Sequence, residues 1–348
     1  MRPTITDSAK EVICSELKLP FVHSVILIGS RARGDGNAKS DYDLYVVVPV
    51  SLLPLLFPIL KKKEKILRER LKVDVSISPL TYSRMKRGKD TLLFHVKKEG
   101  VILCGKNIKS LIKINSVNEL PMDELYQYFF DALFYLIRYF NLYDDFDQDA
   151  RNKLIRNAAK CVLYCADLRL MITGVYAGSW KKIAELSNDK LVKDSYDIIC
   201  GKLKIRNEFH FWFLARDYAL ETFKILIKKQ YRTNLDLDTF SRIYLSQKVS
   251  ILKSIQFFIL AFPIFKKNRS TISIFWHILR RQPIDKYLHM LLLSLLSSQE
   301  DERNINILIK IMRNLGVGIE QNILEDLWNK GKEILEMYAP YMWAKSVI

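Results

Sequence analysis

Two apolar runs dense in β-branched residues, VILI (Val25 to Ile28) and LYVVV (Leu44 to Val48), bracket the polar stretch GSRARGDGNAKSDYD. Runs of that length and composition read as buried strands. The Gly, Arg, Asn, Asp and Ser between them mark a loop or a short helical turn. Around this pair the pattern predicts a helix over Ser8 to Leu17 and a basic helix from roughly Leu52 to Leu71, with KKKEKILRERLK as its charged face. A third strand follows in KVDVSIS (Lys72 to Ser78), then another helix, then a fourth strand in VILCG (Val101 to Gly105). The first hundred or so residues therefore predict an α/β (α+β) domain built on a small mixed sheet. From about Asp123 the apolar spacing changes to three and four residues, in ELYQYFFDALFYLIRYF, RNKLIRNAAKCVLYCADLRLMITG and ARDYALETFKILIKK. That spacing predicts an all-α helical region, with Gly174 as a helix stop. Residues 1–110, 111–240 and 241–348 read as three segments, the last also helical by pattern, without internal repeat or low-complexity tract.

The acids in the first segment change the picture. Asp41 and Asp43 are two apart, and a strand's period of two puts both carboxylates on one face. Like charges side by side on a sheet repel and are costly to bury unless a cation neutralises them; a divalent metal is the natural solution. A third acid, Asp74, sits between Val73 and Val75, whose side chains face the other way. Three carboxylates carried on strands can hold two Mg2+ ions, with Mn2+ as the alternative, and such ions neutralise a transferring phosphoryl group. Gly29 and Ser30 suit the same chemistry, because glycine lets backbone N–H groups approach a phosphate and a serine hydroxyl adds a donor. Arg31 and Arg33 read as loop-surface charges, with a nucleotide contact as the alternative for Arg33. Ser40 caps the turn into the strand beside that contact.

Composition narrows the partners. The chain has 348 residues, 49% hydrophobic and 27% charged, as expected of a globular protein, but its formal net charge is +17. That excess favours an anionic partner such as nucleotide, nucleic acid or an acidic membrane surface. Residues 241–290 carry nine Lys or Arg against one acid, Asp285, interleaved with Phe257, Phe258, Phe262, Phe265, Phe275 and Trp276. This segment reads as a solvated amphipathic surface, a nucleic-acid contact or a membrane-surface patch. Five scattered cysteines without a CxxC pair argue against a disulfide framework or a zinc site. No run resembles a signal peptide or is long enough to span a bilayer, so the expectation is a cytoplasmic protein without stable membrane insertion.

The string GSRARGDGNAKSDYDLYV, with Asp74 following in VDV, resembles the signature of the DNA polymerase beta-like nucleotidyltransferase superfamily. Within it, the closest likeness is to the small nucleotidyltransferases that include the antibiotic-modifying adenylyltransferases, which carry a helical C-terminal domain. The resemblance implies that residues 1–110 move a nucleoside monophosphate from a triphosphate, ATP above all, to a hydroxyl acceptor with release of pyrophosphate. It implies that Gly29 and Ser30 hold the triphosphate and that Asp41, Asp43 and Asp74 bind two Mg2+ ions, Asp74 also assisting deprotonation of the acceptor. The stretch RNAAKCVLYCADLRLMITGVYAGSWKKIAEL is similar to the helical domain that follows in those enzymes, so 111–240 is expected to close the cleft. There Lys160, one turn from Arg156 on the same helix face, would reach the phosphates. The implied acceptor is a hydroxylated small molecule, with RNA (a tRNA 3′ end, which the charge favours) or a protein side chain as the toxin-type alternatives. An antitoxin partner belongs to the last of these. A module that binds nucleotide without turning it over is the non-catalytic rival, against which the retention of all three carboxylates argues.

Overall fold

The computed structural model describes residues 5–36, 40–140, 147–246, 284–297, 302–314 and 328–335. Its first elements are α1 (Asp7–Leu17), β1 (Ser24–Ile28), α2 (Gly29–Arg33), β2 (Tyr42–Val48), α3 (Leu53–Leu71), β3 (Val75–Thr81), α4 (Tyr82–Arg87), α5 (Thr91–Glu99) and β4 (Val101–Gly105). The four strands form one sheet in the order β3-β2-β1-β4. β1 runs antiparallel to both β2 and β4, whereas β2 and β3 are parallel. This is the small mixed sheet expected. Its centre is fully apolar, with Val25, Ile26, Leu27, Val46, Val47 and Val48 all buried.

The third strand starts later than the alternation suggested, at Val75 rather than Lys72. The reason is the helix before it. α3 continues to Leu71 and closes on Lys72, which takes a left-handed conformation (φ 55°) and returns its N–H to the Arg68 carbonyl. Two residues then remain to turn the chain, and Asp74 occupies the second of them.

β3 is an edge strand, and α3 covers that edge with its own side chains. Glu64, buried on the helix, accepts the Ile77 N–H at 3.0 Å, and Arg68 Nε donates to the Val75 carbonyl at 3.0 Å. An exposed strand edge invites pairing with other chains; here the outward Val75 carbonyl and Ile77 N–H are already bonded. Across the other side of α3, Lys63 and Arg70 both bond Glu16 of α1, at 2.8 and 2.6 Å. The Lys63 bond and charge hold the Glu16 carboxyl below its ordinary range.

Helices make up the rest: α6 (Met122–Arg138), α7 (Gln148–Ile172), α8 (Trp180–Leu186), α9 (Lys190–Ile199), α10 (Glu208–Tyr231), α11 (Leu237–Ser246), and two more at Ile284–Ser297 and Glu302–Asn314. α7 ends as the sequence suggested, just before Gly174 at φ 86°. The chain divides into two compact units. One holds the sheet and runs to Glu124, together with Gly174–Lys182; the other holds Leu125–Thr173 and the described residues from Ile183 on. The second unit has an aromatic centre: Trp212 stacks on Phe140 at 3.7 Å and donates from Nε1 to the Leu136 carbonyl at 2.9 Å. Cys161 and Cys165 are buried thiols, and His289 bonds the Tyr244 hydroxyl at 2.9 Å. Among the described residues, no helix is long and apolar enough to cross a membrane.

Candidate active site

The parallel register of β2 and β3 sets the arrangement of the three acids. Tyr42 pairs with Val75 and Asp43 with Ser76, and the Tyr42 N–H donates to the Asp74 carbonyl at 2.9 Å, carrying the pairing back to Asp41 and Asp74. In a parallel pair, residues in register point the same way and successive residues alternate. Burial follows that alternation: Tyr42, Leu44, Val75 and Ile77 are buried, while Asp41, Asp74 and Ser76 are exposed and Asp43 is part-buried. Asp43 therefore lies on the less buried side of β2, and Asp41 and Asp74, both exposed, directly precede the paired starts of β2 and β3.

Gly29 meets this group from β1, whose last residue, Ile28, pairs with Asp43. Its φ of 76° is in the left-handed region, and a Cβ built there would stand 2.7 Å from Asp43 Oδ2. Only glycine lets the backbone approach the carboxylate this closely. Ser30 follows in α2, and its carbonyl accepts the N–H groups of Asp35 and Gly36 at 3.1 and 3.0 Å, folding the loop back over the helix.

Oxygen donors alone, supplied by three carboxylates, are the set that Mg2+ or Mn2+ takes, so the residues fit a divalent metal. Among the described residues, however, no three His, Cys, Asp or Glu side chains gather closely enough to hold an ion. The Asp74 side chain is 87% exposed and stands 4.0 Å from Arg68 Nε.

Comparison with known proteins decides the family. Residues 7–103 match the model of the nucleotidyltransferase domain. A Methanocaldococcus jannaschii chain whose name assigns it as a protein adenylyltransferase is 40% identical over 81 residues, which are 22% of this chain and 74% of that relative. The chain belongs to the nucleotidyltransferase family. Among solved structures, spectinomycin adenyltransferase AAD(9) of Enterococcus faecialis, with ATP and spectinomycin, aligns over 63% of this chain and 98% of its own at 14% identity, with a TM-score of 0.40.

In this nucleotidyltransferase the two loop arginines differ in environment. Arg31 is not the surface charge its position suggested. It is 6% exposed, donates from Nε to the Ser40 carbonyl at 2.8 Å, and lies 4.0 Å over the Tyr42 ring. The loop that folds back over α2 encloses it. Arg33 donates to Asp35 and to Glu99 of α5, each at 3.3 Å; partial burial raises the Asp35 carboxyl above its ordinary value against the pull of Arg33. Glu99 also bonds His95, which in turn bonds the Tyr176 hydroxyl at 3.1 Å. Ser40, directly before Asp41, is held through its carbonyl by Arg31. Lys160 belongs to α7 in the other unit, its ammonium 5.5 Å from the Tyr135 ring. Residues 247–283, most of the basic aromatic segment, lie outside the described residues.

The contact between Gly29 and Asp43 yields a prediction. Gly29→Ala adds a Cβ where the carboxylate now sits and forces an L-residue into the left-handed region, at about 1–2 kcal/mol. Mg2+-dependent ATP binding, measured by calorimetry, is expected to weaken about 10- to 100-fold, as when a group that orients a metal ligand is lost. Unchanged affinity would remove Gly29 from the site.

Proposed function

We propose that the enzyme transfers an adenylyl group from ATP to a hydroxyl, releasing pyrophosphate, with Asp41, Asp43 and Asp74 holding two Mg2+ ions or Mn2+ in their place. What supports this reading is the β2–β3 register, which sets Asp43 of β2 beside Gly29 and brings the strand starts that Asp41 and Asp74 precede next to each other. The bound ions would neutralise charge on the transferring phosphoryl group and favour ionisation of the attacking hydroxyl. The backbone at Gly29 and the Ser30 hydroxyl would bind and orient the triphosphate, with Arg33 and Ser40 as further nucleotide contacts. Asp74, exposed to solvent, would accept the acceptor's proton. The acceptor oxygen then bonds the α-phosphorus as the bond to the β-phosphate oxygen breaks, and pyrophosphate leaves with that electron pair.

The sequence resemblance supports a hydroxylated small molecule as acceptor. A protein hydroxyl is the second reading, favoured by the Methanocaldococcus jannaschii relative, which is named for that acceptor. The test incubates the protein with each α-labelled nucleoside triphosphate and Mg2+, offering in parallel a panel of polyols, total tRNA and a protein extract, beside Asp41→Ala/Asp43→Ala. Label from ATP on a small molecule establishes the first reading, and label on a polypeptide the second. Label on tRNA, lost as salt rises because phosphate contacts release counterions, would replace both. ATP binding with no label on any acceptor would favour the non-catalytic module.

A further inference from the structure

We infer that Arg31 is a positioning residue for the metal-binding acids, acting from behind β2 through Ser40 and Tyr42. The inference rests on the metal site proposed above. Its geometry has three parts. First, the guanidinium bonds the last residue before the acids: Nε donates to the Ser40 carbonyl at 2.8 Å. Second, it stacks 4.0 Å over the ring of Tyr42, the residue between Asp41 and Asp43. Third, the Arg31 backbone is fixed by the returning loop, since a Cβ at Gly36 would stand 3.1 Å from both Arg31 N and Arg31 Cγ. Arg31 is thus one residue past Ser30 and bonded to the residue before Asp41. It ties the Gly29–Ser30 turn to the strand that carries the acids.

The Tyr42 side chain projects from the opposite face of β2 to Asp43. Arg31 therefore braces the strand without occupying the ligand side. A planar guanidinium can stack on a ring and donate in its own plane at once, which an ammonium cannot do. The two like charges flanking Tyr42 would otherwise be free to twist apart at the start of β2, and the brace removes that freedom there.

Access to the brace comes from a cavity of about 290 Å³ lined by Thr6, Ser8, Arg31, Tyr42, Arg70 and Val73. Arg31→Ala would delete the side chain beyond Cβ into that open space, so a small guanidinium can re-enter it. This makes the role testable by chemical complementation.

The experiment measures Mn2+ binding by electron paramagnetic resonance, with and without ATP, on the full chain. Wild type, Arg31→Met, Arg31→Lys, Arg31→Ala and Asp43→Asn are compared, with thermal melting of each. Arg31→Met is expected to weaken Mn2+ and Mn2+·ATP about 10- to 100-fold, the range for groups that orient metal ligands. N-ethylguanidinium at millimolar concentration is expected to restore binding to Arg31→Ala and to leave Asp43→Asn unchanged. If the methionine variant does not fold, Arg31→Lys, which keeps charge and length, is expected to show the same loss. Wild-type affinity in a folded Arg31 variant, beside a clear loss in Asp43→Asn, would overturn the brace and leave the metal site standing. Rescue that acts equally on Asp43→Asn would also overturn it. No Mn2+ binding by the wild type would overturn both.

Discussion

In Asp41→Ala/Asp43→Ala, adenylyl transfer is expected to fall at least about a thousandfold while the melting temperature changes by only a few degrees. The activity term follows from what the two carboxylates would hold. Metal ions at a transferring phosphoryl group supply several kcal/mol of charge stabilisation, and each 1.4 kcal/mol is about a factor of ten in rate. The stability term follows from exposure. Asp41 faces solvent and Asp43 is only part-buried, and surface substitutions of this kind change stability by about 0.5 kcal/mol or less. Relief of like-charge repulsion between them acts in the stabilising direction. The measurement is label transfer from α-labelled ATP to whichever acceptor the parallel assay identifies, beside a thermal melt of the same preparations. Transfer within tenfold of wild type would sink the assignment of these acids. Asp74→Ala separates the roles: if it serves only as a proton acceptor, the loss is about 10²- to 10⁴-fold and shrinks as pH rises and the acceptor ionises unaided.

The central strands and the pair Asp41 and Asp43 were legible because one strong pattern governs them. A period of two and a β-branched run give strand, face and carboxylate placement together. Gly29 was legible only in company with the acids, since a glycine after an apolar strand is by itself common turn chemistry. Asp74 was legible as a residue but not in its setting. The alternation of KVDVSIS continues without interruption into the turn after α3, so nothing local shows that the strand waits until Val75. Whether Lys72 ends a helix or opens a strand is decided by its left-handed conformation, which sequence periodicity does not report.

Arg31 and Arg33 could not be separated by local pattern. Both follow a glycine-serine turn in a polar loop, and only the folded chain sets one guanidinium against Tyr42 and Ser40 and turns the other toward Glu99. Those partners are distant in sequence or depend on a backbone carbonyl, and neither leaves a trace in spacing. Glu64 is the opposite case, hidden in a charged run although its position was informative. Leu60, Glu64 and Leu67 fall at intervals of four and three, which is the buried stripe of α3. An acid on that stripe needs a partner, and the run KKKEKILRERLK obscured the need by offering charges on every side.

That position carries the largest stability prediction. Glu64→Ala is expected to cost about 2–3 kcal/mol, chiefly by orphaning the Ile77 N–H, since a buried donor left without a partner costs about 1–3 kcal/mol. The ion pairs with Lys61 and Arg68 add little. Both cations are about half exposed, at 52% and 49% of their side chains, and such pairs contribute about 0–1 kcal/mol each. Glu64→Gln distinguishes the two contributions, because its amide oxygen can still accept from Ile77 while its charge is gone. The glutamine variant is expected to lose about 1 kcal/mol or less, in line with the ion pairs alone. Amide exchange at Ile77 and its neighbours reads the difference directly: alanine speeds exchange along β3, and glutamine leaves it close to wild type. Equal exchange in both variants would show that charge, not the bonded strand edge, holds α3 against the sheet. The consequence extends to the acids, because β3 carries Asp74 at its entry and α3 holds that strand on its outer side. Loss of Glu64 is therefore expected to weaken Mn2+ binding as well, through the looser strand, whereas Glu64→Gln leaves it intact.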